Sequence, residues 1–318
     1  MITRVLALLC LVSPVAADTN RVLDLHVLPS VARFTRATDA LSQAGCAPEQ
    51  LKPAFREAAL AWGGMSHLAA PPIIDEDLGQ AVLAWPDDQM AAVQDLSRLI
   101  NQGPTAWTPE ALASAPSVTR GLGALERLIW DAAAQPCALT DALAEDLAQT
   151  ARRIQDTWTG SLARQMRRPA AGGTTRFQTD REVQMTLFAA LIAGLEATSE
   201  GRLGRPLADF DAPRPDLAEL HRSDLSIPMV IAALNGLQAL ATVMSEAPGT
   251  NAAFARALTT AGRIEGDDLS GVTNPTSRVR IEALQTAVRD ALAQAQSEIG
   301  RPLGVAVDGS VCPQIADC

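Results

Sequence analysis

The chain has 318 residues, with 36 acidic side chains against 26 Lys and Arg and a formal net charge of −10. That balance argues against a protein that grips nucleic acid through its phosphates, and a composition rich in Ala, Leu, Arg and Gln with no Tyr favours helix over strand. Lys52 is the sole lysine, which codon bias explains more simply than a need for guanidinium chemistry.

Met1 to Ala17 reads MITRVLALLCLVSPVAA: one positive charge at Arg4, an apolar run from Val5 to Val12, and small residues at Val15 and Ala17. This is the pattern of a cleavable secretory signal, with cleavage expected after Ala17. The apolar run is far short of the ~20 residues of a spanning helix, and every later stretch of that length is expected to carry charge. No transmembrane segment is therefore expected in the mature chain. Cys10 follows Leu8 and Leu9, where a lipid-attachment box wants small residues, so it leaves with the signal. Four cysteines remain, Cys46, Cys137, Cys312 and Cys318. An even number in an exported chain points to two disulfides, for which three pairings exist. The pairing Cys46 with Cys137 and Cys312 with Cys318 is favoured, because the last two are close enough to close a small loop over the tail.

Helical periodicity begins at Leu51, Phe55, Ala58 and Trp62, which fall on one face. A second stripe, Leu143, Leu147, Ala151, Ile154 and Trp158, predicts a helix from Thr140 to Trp158. Thr179 and Glu182 have capping-box spacing, and Val183, Leu187, Leu191 and Leu195 follow as a stripe. Ser226, with Pro228 in the first turn, opens a helix to about Met244. The last begins near Asn274 and Pro275, carries Ile281, Leu284, Val288, Leu292 and Ile299, and stops at Gly300. Punctuated segments lie between them, at Gly63 to Asp87, Gly103 to Val118 and Gly204 to Asp224. The stretch RRPAAGGTT, Arg167 to Thr175, is the best boundary candidate. The expected fold is all-α, as two antiparallel helical bundles packed side by side, residues 18–166 and 176–318.

The residues hold little obvious chemistry. The three histidines, His26, His67 and His221, form no HExxH and no close-spaced pair, and there is no CxxC. His67 follows a glycine-containing turn and reads as a cleft-lining, surface or internally satisfied residue. His221, Ser223 and Asp224 are too close in sequence to assemble a catalytic triad. Glu126 is more informative, since Leu125, Leu128 and Ile129 flank it; a carboxylate there must be paired or at a cleft. A buried ion pair with an arginine, Arg222 among the candidates, is its simplest role.

Several blocks together resemble the imelysin family: AWGGMSHLAAPPI, AWPDD (Ala84 to Asp88), GLGALERLIW (Gly121 to Trp130), GRLGRPL (Gly201 to Leu207), RPDLAELHRSDLS (Arg214 to Ser226) and LGVAVDGS (Leu303 to Ser310). The resemblance implies periplasmic or surface-anchored proteins of two four-helix bundles, a site in the cleft between them, a link to iron or haem acquisition, and an envelope iron-uptake partner. It also brings a peptidase designation. The family motif GxHxxE places His and Glu on one helical face, where a pair can ligate iron or another divalent cation. Here Gly121 and Glu126 match, whereas Gly123 stands in place of the His. Arg222, Ser223 and Ser226 match an RSxxS block, with ligand hydrogen bonding or capping by Ser226 as its two readings. Trp62, Trp85, Asp87 and Asp308 also fall on family positions, with packing expected of the tryptophans and turn roles of the aspartates. Three functions follow: a non-enzymatic periplasmic binding or accessory protein for iron or haem uptake, which is preferred; a metal-dependent peptidase; and a structural interaction module with a vestigial site.

Overall fold

The computed structural model describes residues 18–70, 73, 74, 76–87, 89–131, 136–171 and 176–305. The signal segment, Asp308 and the expected Cys312–Cys318 bridge lie outside these residues. In chain order the helices are α1 (Thr19–Val22), α2 (Leu28–Ser42), α3 (Pro48–Met65), α4 (Glu76–Val82), α5 (Gln89–Gln102), α6 (Pro109–Ala113), α7 (Gly121–Trp130), α8 (Cys137–Thr157), α9 (Ala163–Arg167), α10 (Asp180–Glu196), α11 (Arg205–Leu207), α12 (Ser226–Met244), α13 (Pro248–Ala261) and α14 (Pro275–Ala295). No strand occurs among the described residues, so the fold is all-α.

The local signals act as expected. Thr179 caps α10 by accepting from the Glu182 backbone N–H at 3.2 Å, and the Glu182 carboxylate reaches back to the N–H of Gln178 at 2.7 Å. Asn274 caps α14 through the N–H groups of Thr276 and Ser277. The α14 rod then runs through a π turn, Gln296–Gly300, before it ends. Other π turns, Leu23–Val27, Trp158–Leu162 and Ala197–Gly204, lengthen α1, α8 and α10.

Helices α2, α3, α7 and α8 pack on one another, as do α10, α12, α13 and α14. A continuous buried apolar cluster draws on both sets, from Phe34, Phe55 and Leu147 to Leu191, Leu234 and Leu284. Cys46 and Cys137 are bridged, tying the α2–α3 turn to the start of α8 across a sequence separation of 91. Closing a loop of that size stabilises the fold by about 4 kcal/mol in the chain-entropy view.

The expectation that every later stretch of spanning length carries charge is incorrect. Residues 225–245 contain no charged side chain, and α12 is long and apolar enough to cross a membrane by composition, at a mean hydropathy of 1.7. Its position explains the composition. It packs against α3 on one side and α10 and α13 on others, so an apolar surface on several sides is required.

The α3–α12 crossing depends on missing side chains. A Cβ on Gly236 would lie 2.0 Å from the Gly64 carbonyl oxygen, and one on Gly63 would meet the Ala232 Cβ at 3.1 Å. Backbone cannot retreat as a flexible side chain does, so Gly236→Ala must push the helices apart. Its helix-propensity gain of about 1 kcal/mol offsets only part of that. The expected net loss in urea unfolding is about 2 kcal/mol, and an unchanged or stabilised variant would contradict this crossing.

Candidate functional site

A cleft of about 670 Å3 lies between the two sets of helices. Trp62, Leu83 and Trp85 line one wall, and Ala193 and Ala197 of α10 and its π turn line the other. The π turn puts Arg202 into the cleft lining, and Glu219 joins it from the connection before α12. π turns recur at functional sites because they re-aim side chains that a regular helix would carry elsewhere.

Arg202 and Glu219 are both buried and form a two-armed ion pair, Nε to Oε2 at 2.6 Å and Nη2 to Oε1 at 3.4 Å. Arg202 also donates to Ser66 Oγ at 3.4 Å and to Thr198 Oγ1 at 3.5 Å. One wall is thus linked to the other through a guanidinium. Trp85 is held by its Nε1–H, which donates to the Leu217 carbonyl at 3.3 Å.

His67 also lines the cleft, from the short turn Ser66–Leu68. It is not alone. Its Nε2 lies 3.0 Å from His26 Nε2, and both rings are buried. Separation by 41 residues hid the pair from sequence spacing, where the three histidines form no close-spaced pair. Burial pushes the His26 imidazole down to about 4. His67 is held well below its ordinary value by burial first, then by His26 and the Arg202 guanidinium.

Behind the cleft, Glu126 is buried on α7 and accepts from Ser223 twice, from the N–H at 2.9 Å and from Oγ at 2.6 Å. Ser223 belongs to a one-turn segment, His221–Ser223, whose flanking residues Leu220 and Asp224 are both in left-handed conformation. Burial raises the Glu126 carboxyl above the usual range, opposed by the two Ser223 bonds and by His221 and Arg222 nearby. The simple expectation of an Arg222–Glu126 ion pair is overturned: Arg222 Nε donates to Asp131 at the C-terminal end of α7, where the carboxylate can face solvent. Serine supplies what the buried carboxylate needs without a second buried charge.

Capping by Ser226 is also corrected. Ser226 is the first residue of α12; its Oγ donates to the Glu219 carbonyl at 2.8 Å, while the Ile227 N–H is satisfied by the Asp267 carbonyl at 2.8 Å. Gly121 proves a packing position. Its φ is +63°, and a Cβ there would lie 2.2 Å from the Val82 carbonyl oxygen. Among Gly121, Glu126, Arg222, Ser223 and Ser226, none lines the cleft; Glu126 and Ser223 meet directly, and Ser226 steadies the backbone of Glu219, which does line it.

The family model described as imelysin matches residues 26–295. The chain belongs to the imelysin family. An imelysin-like protein from Psychrobacter arcticum 273-4 superposes with a TM-score of 0.71 at 15% identity, over 91% of this chain and 95% of that one. A protein from Parabacteroides distasonis ATCC 8503, named provisionally an iron-regulated protein A precursor, gives a TM-score of 0.68 at 10% identity, over 88% and 93% of the two chains. No curated protein shows significant similarity to the sequence.

In this imelysin-family chain the motif position does not fit a cation. A side chain at Gly123 would start 3.5 Å from Arg127 Nη1, so the guanidinium stands beside the place where the motif has imidazole. Arg127 Nη1 donates to the Gly123 carbonyl at 3.2 Å, and Nη2 pairs with the Asp87 carboxylate at 2.6 Å. Asp87 therefore forms a buried ion pair, correcting its expected turn role. Glu126, the remaining motif ligand, has one oxygen engaged by both Ser223 donors. Glu126 thus lacks the motif imidazole and has one oxygen already committed, so too few free donors remain there to hold a cation.

Arg202, Glu219 and the paired histidines are the functional candidates that sequence reasoning missed. Arg202 and Glu219 both fall inside family blocks, GRLGRPL and RPDLAELHRSDLS, so the signal existed. A buried charge in each block asks for a partner in another, but nothing in the spacing selects which.

Proposed function

We propose that this imelysin-family chain is an exported, non-enzymatic binding or accessory protein of an iron-acquisition system. In this reading it is organised as two helical bundles, residues 18–166 and 176–318, and holds its ligand in the cleft between them. The cleft carries the reading. Its volume of about 670 Å3 is that of a small-molecule site, with tryptophan rings for apolar contact and the Arg202–Glu219 pair as a fixed polar point. In the cleft lining Ser66 accepts from Arg202 and His67 is engaged by His26, so neither is arranged as nucleophile with base.

The link to iron is supported by the name of the Parabacteroides distasonis relative in fold. Export is supported by the N-terminal signal pattern, by the precursor form of that relative, and by the Cys46–Cys137 bridge, which suits an oxidising compartment such as the periplasm. An envelope component of iron uptake is the partner this reading requires.

The test is tryptophan-fluorescence titration of the purified mature chain with ferric citrate and with haem. At least one should quench saturably, and Ala197→Trp, which fills the cleft from an exposed position, should weaken it at least tenfold. Failure of both probes, or binding that ignores Ala197→Trp, overturns the reading.

A further inference from the structure

The His26–His67 pair is not explained by the cleft reading and stands independently of what the cleft holds. The rings are tilted by only 18°, their centroids are 5.3 Å apart, and their Nε2 atoms are 3.0 Å apart. Parallel rings lying face to face would bring the centroids nearer. Here the centroid separation is the Nε2 separation plus one nitrogen-to-centroid distance for each ring, so the imidazoles meet end-on. Their Nε2 axes point at each other along one line. In the metal-free pair one Nε2–H donates to the other nitrogen's lone pair.

We propose that His26 and His67 form a linear, two-coordinate site for a soft monovalent d10 cation, copper(I) or its redox-inert counterpart silver(I), in place of the shared proton. The end-on geometry suits a two-coordinate ion, since a tetrahedral site needs both lone pairs aimed off the connecting line, and among the described residues no third His, Cys, Asp or Glu ligand atom joins the pair to complete a square. Imidazole–metal bonds run to about 2 Å, so the nitrogens must part by about 1 Å from their present 3.0 Å. His67 lines the cleft, so open volume beside it can accept that displacement.

The charge environment selects a monovalent ion. The only group of three or more His, Cys, Asp or Glu ligands within reach of one another among the described residues is Cys46, Cys137 and Asp141, remote from this pair and including the disulfide. The charged group acting on His67 besides His26 is the Arg202 guanidinium, itself paired with Glu219. Glu219, which lines the same cleft, is already paired with Arg202, so two neutral imidazoles suit a monocation. Both rings are neutral at neutral pH, as ligation requires.

Silver nitrate in chloride-free buffer is the probe. The chain has three histidines, so long-range 1H–15N spectra of the imidazoles are assignable. On addition of silver(I) to the wild-type mature chain, the Nε2 resonances of His26 and His67 should both shift, with His221 unmoved. His67→Gln and His26→Gln should each bind one equivalent fewer than wild type, a difference that cancels binding at methionines or free thiols. Binding should persist at pH 5, where an ordinary histidine site is lost to protonation. A response confined to His221, or equal silver stoichiometry in wild type and folded variants, overturns the proposal. The wild-type spectra decide it even if a variant does not fold.

Discussion

Arg202→Met should destabilise the protein by about 3–5 kcal/mol in urea unfolding at neutral pH. The substituted side chain keeps most of the volume, so the loss is electrostatic in origin. Glu219 is 3% exposed in its side chain and receives both arms of the guanidinium. Removing Arg202 leaves that carboxylate buried without a counter-charge, while Ser66 and Thr198 lose a donor. Arg202→Met with Glu219→Leu should recover most of the loss, because two apolar groups of similar volume replace a pair whose desolvation cost is large. A loss below about 1 kcal/mol, or a double variant no better than the single one, would show that the pair behaves as a solvated surface bridge.

Acidification should weaken the fold through His26 and His67. Both values are depressed in the folded protein, His26 from 6.5 to about 4. The stability they contribute is therefore present above 6.5 and lost as pH falls through their folded values. In the unfolded chain each ring takes up a proton below 6.5, and each such proton changes stability by about 1.4 kcal/mol per pH unit. For His26 alone the loss between pH 6.5 and about 4 is about 3 kcal/mol. Glu126 acts with the opposite sign: its carboxyl is raised from 4.5, so its contribution is full below that value and is lost as pH rises through the raised one. Comparing wild type with His26→Gln across pH 7 to 4.5 isolates the histidine part. The variant's pH slope should be shallower by up to one proton, and identical slopes would contradict the account.

The helices were legible because their stripes and caps are local. Thr179, Asn274 and the face of Leu143, Leu147 and Ile154 specify α10, α14 and α8 without reference to any partner. The charge-free run 225–245 was misjudged, because only its neighbours reveal that several of its faces must be apolar. The favoured pairing of Cys46 with Cys137 was correct, supported by parity and export rather than by a contact signal. The site was less readable. Glu126 was singled out correctly as a buried acid, yet its partner is a serine 97 residues away, and an arginine was the natural guess. Arg222 was drawn off by Asp131, and His67 gained a partner from the first helix. Long-range pairing between single residues leaves no periodic trace.

Hydrogen exchange of the mature chain, with and without the probe that titrates, decides whether the ligand sits in the cleft. Ligand in the cleft should slow exchange together in residues 62–70 and 193–205, the two walls that Arg202 bridges. Protection confined to the Glu126–Ser223 contact, or absent from one wall, would contradict a cleft-bound ligand.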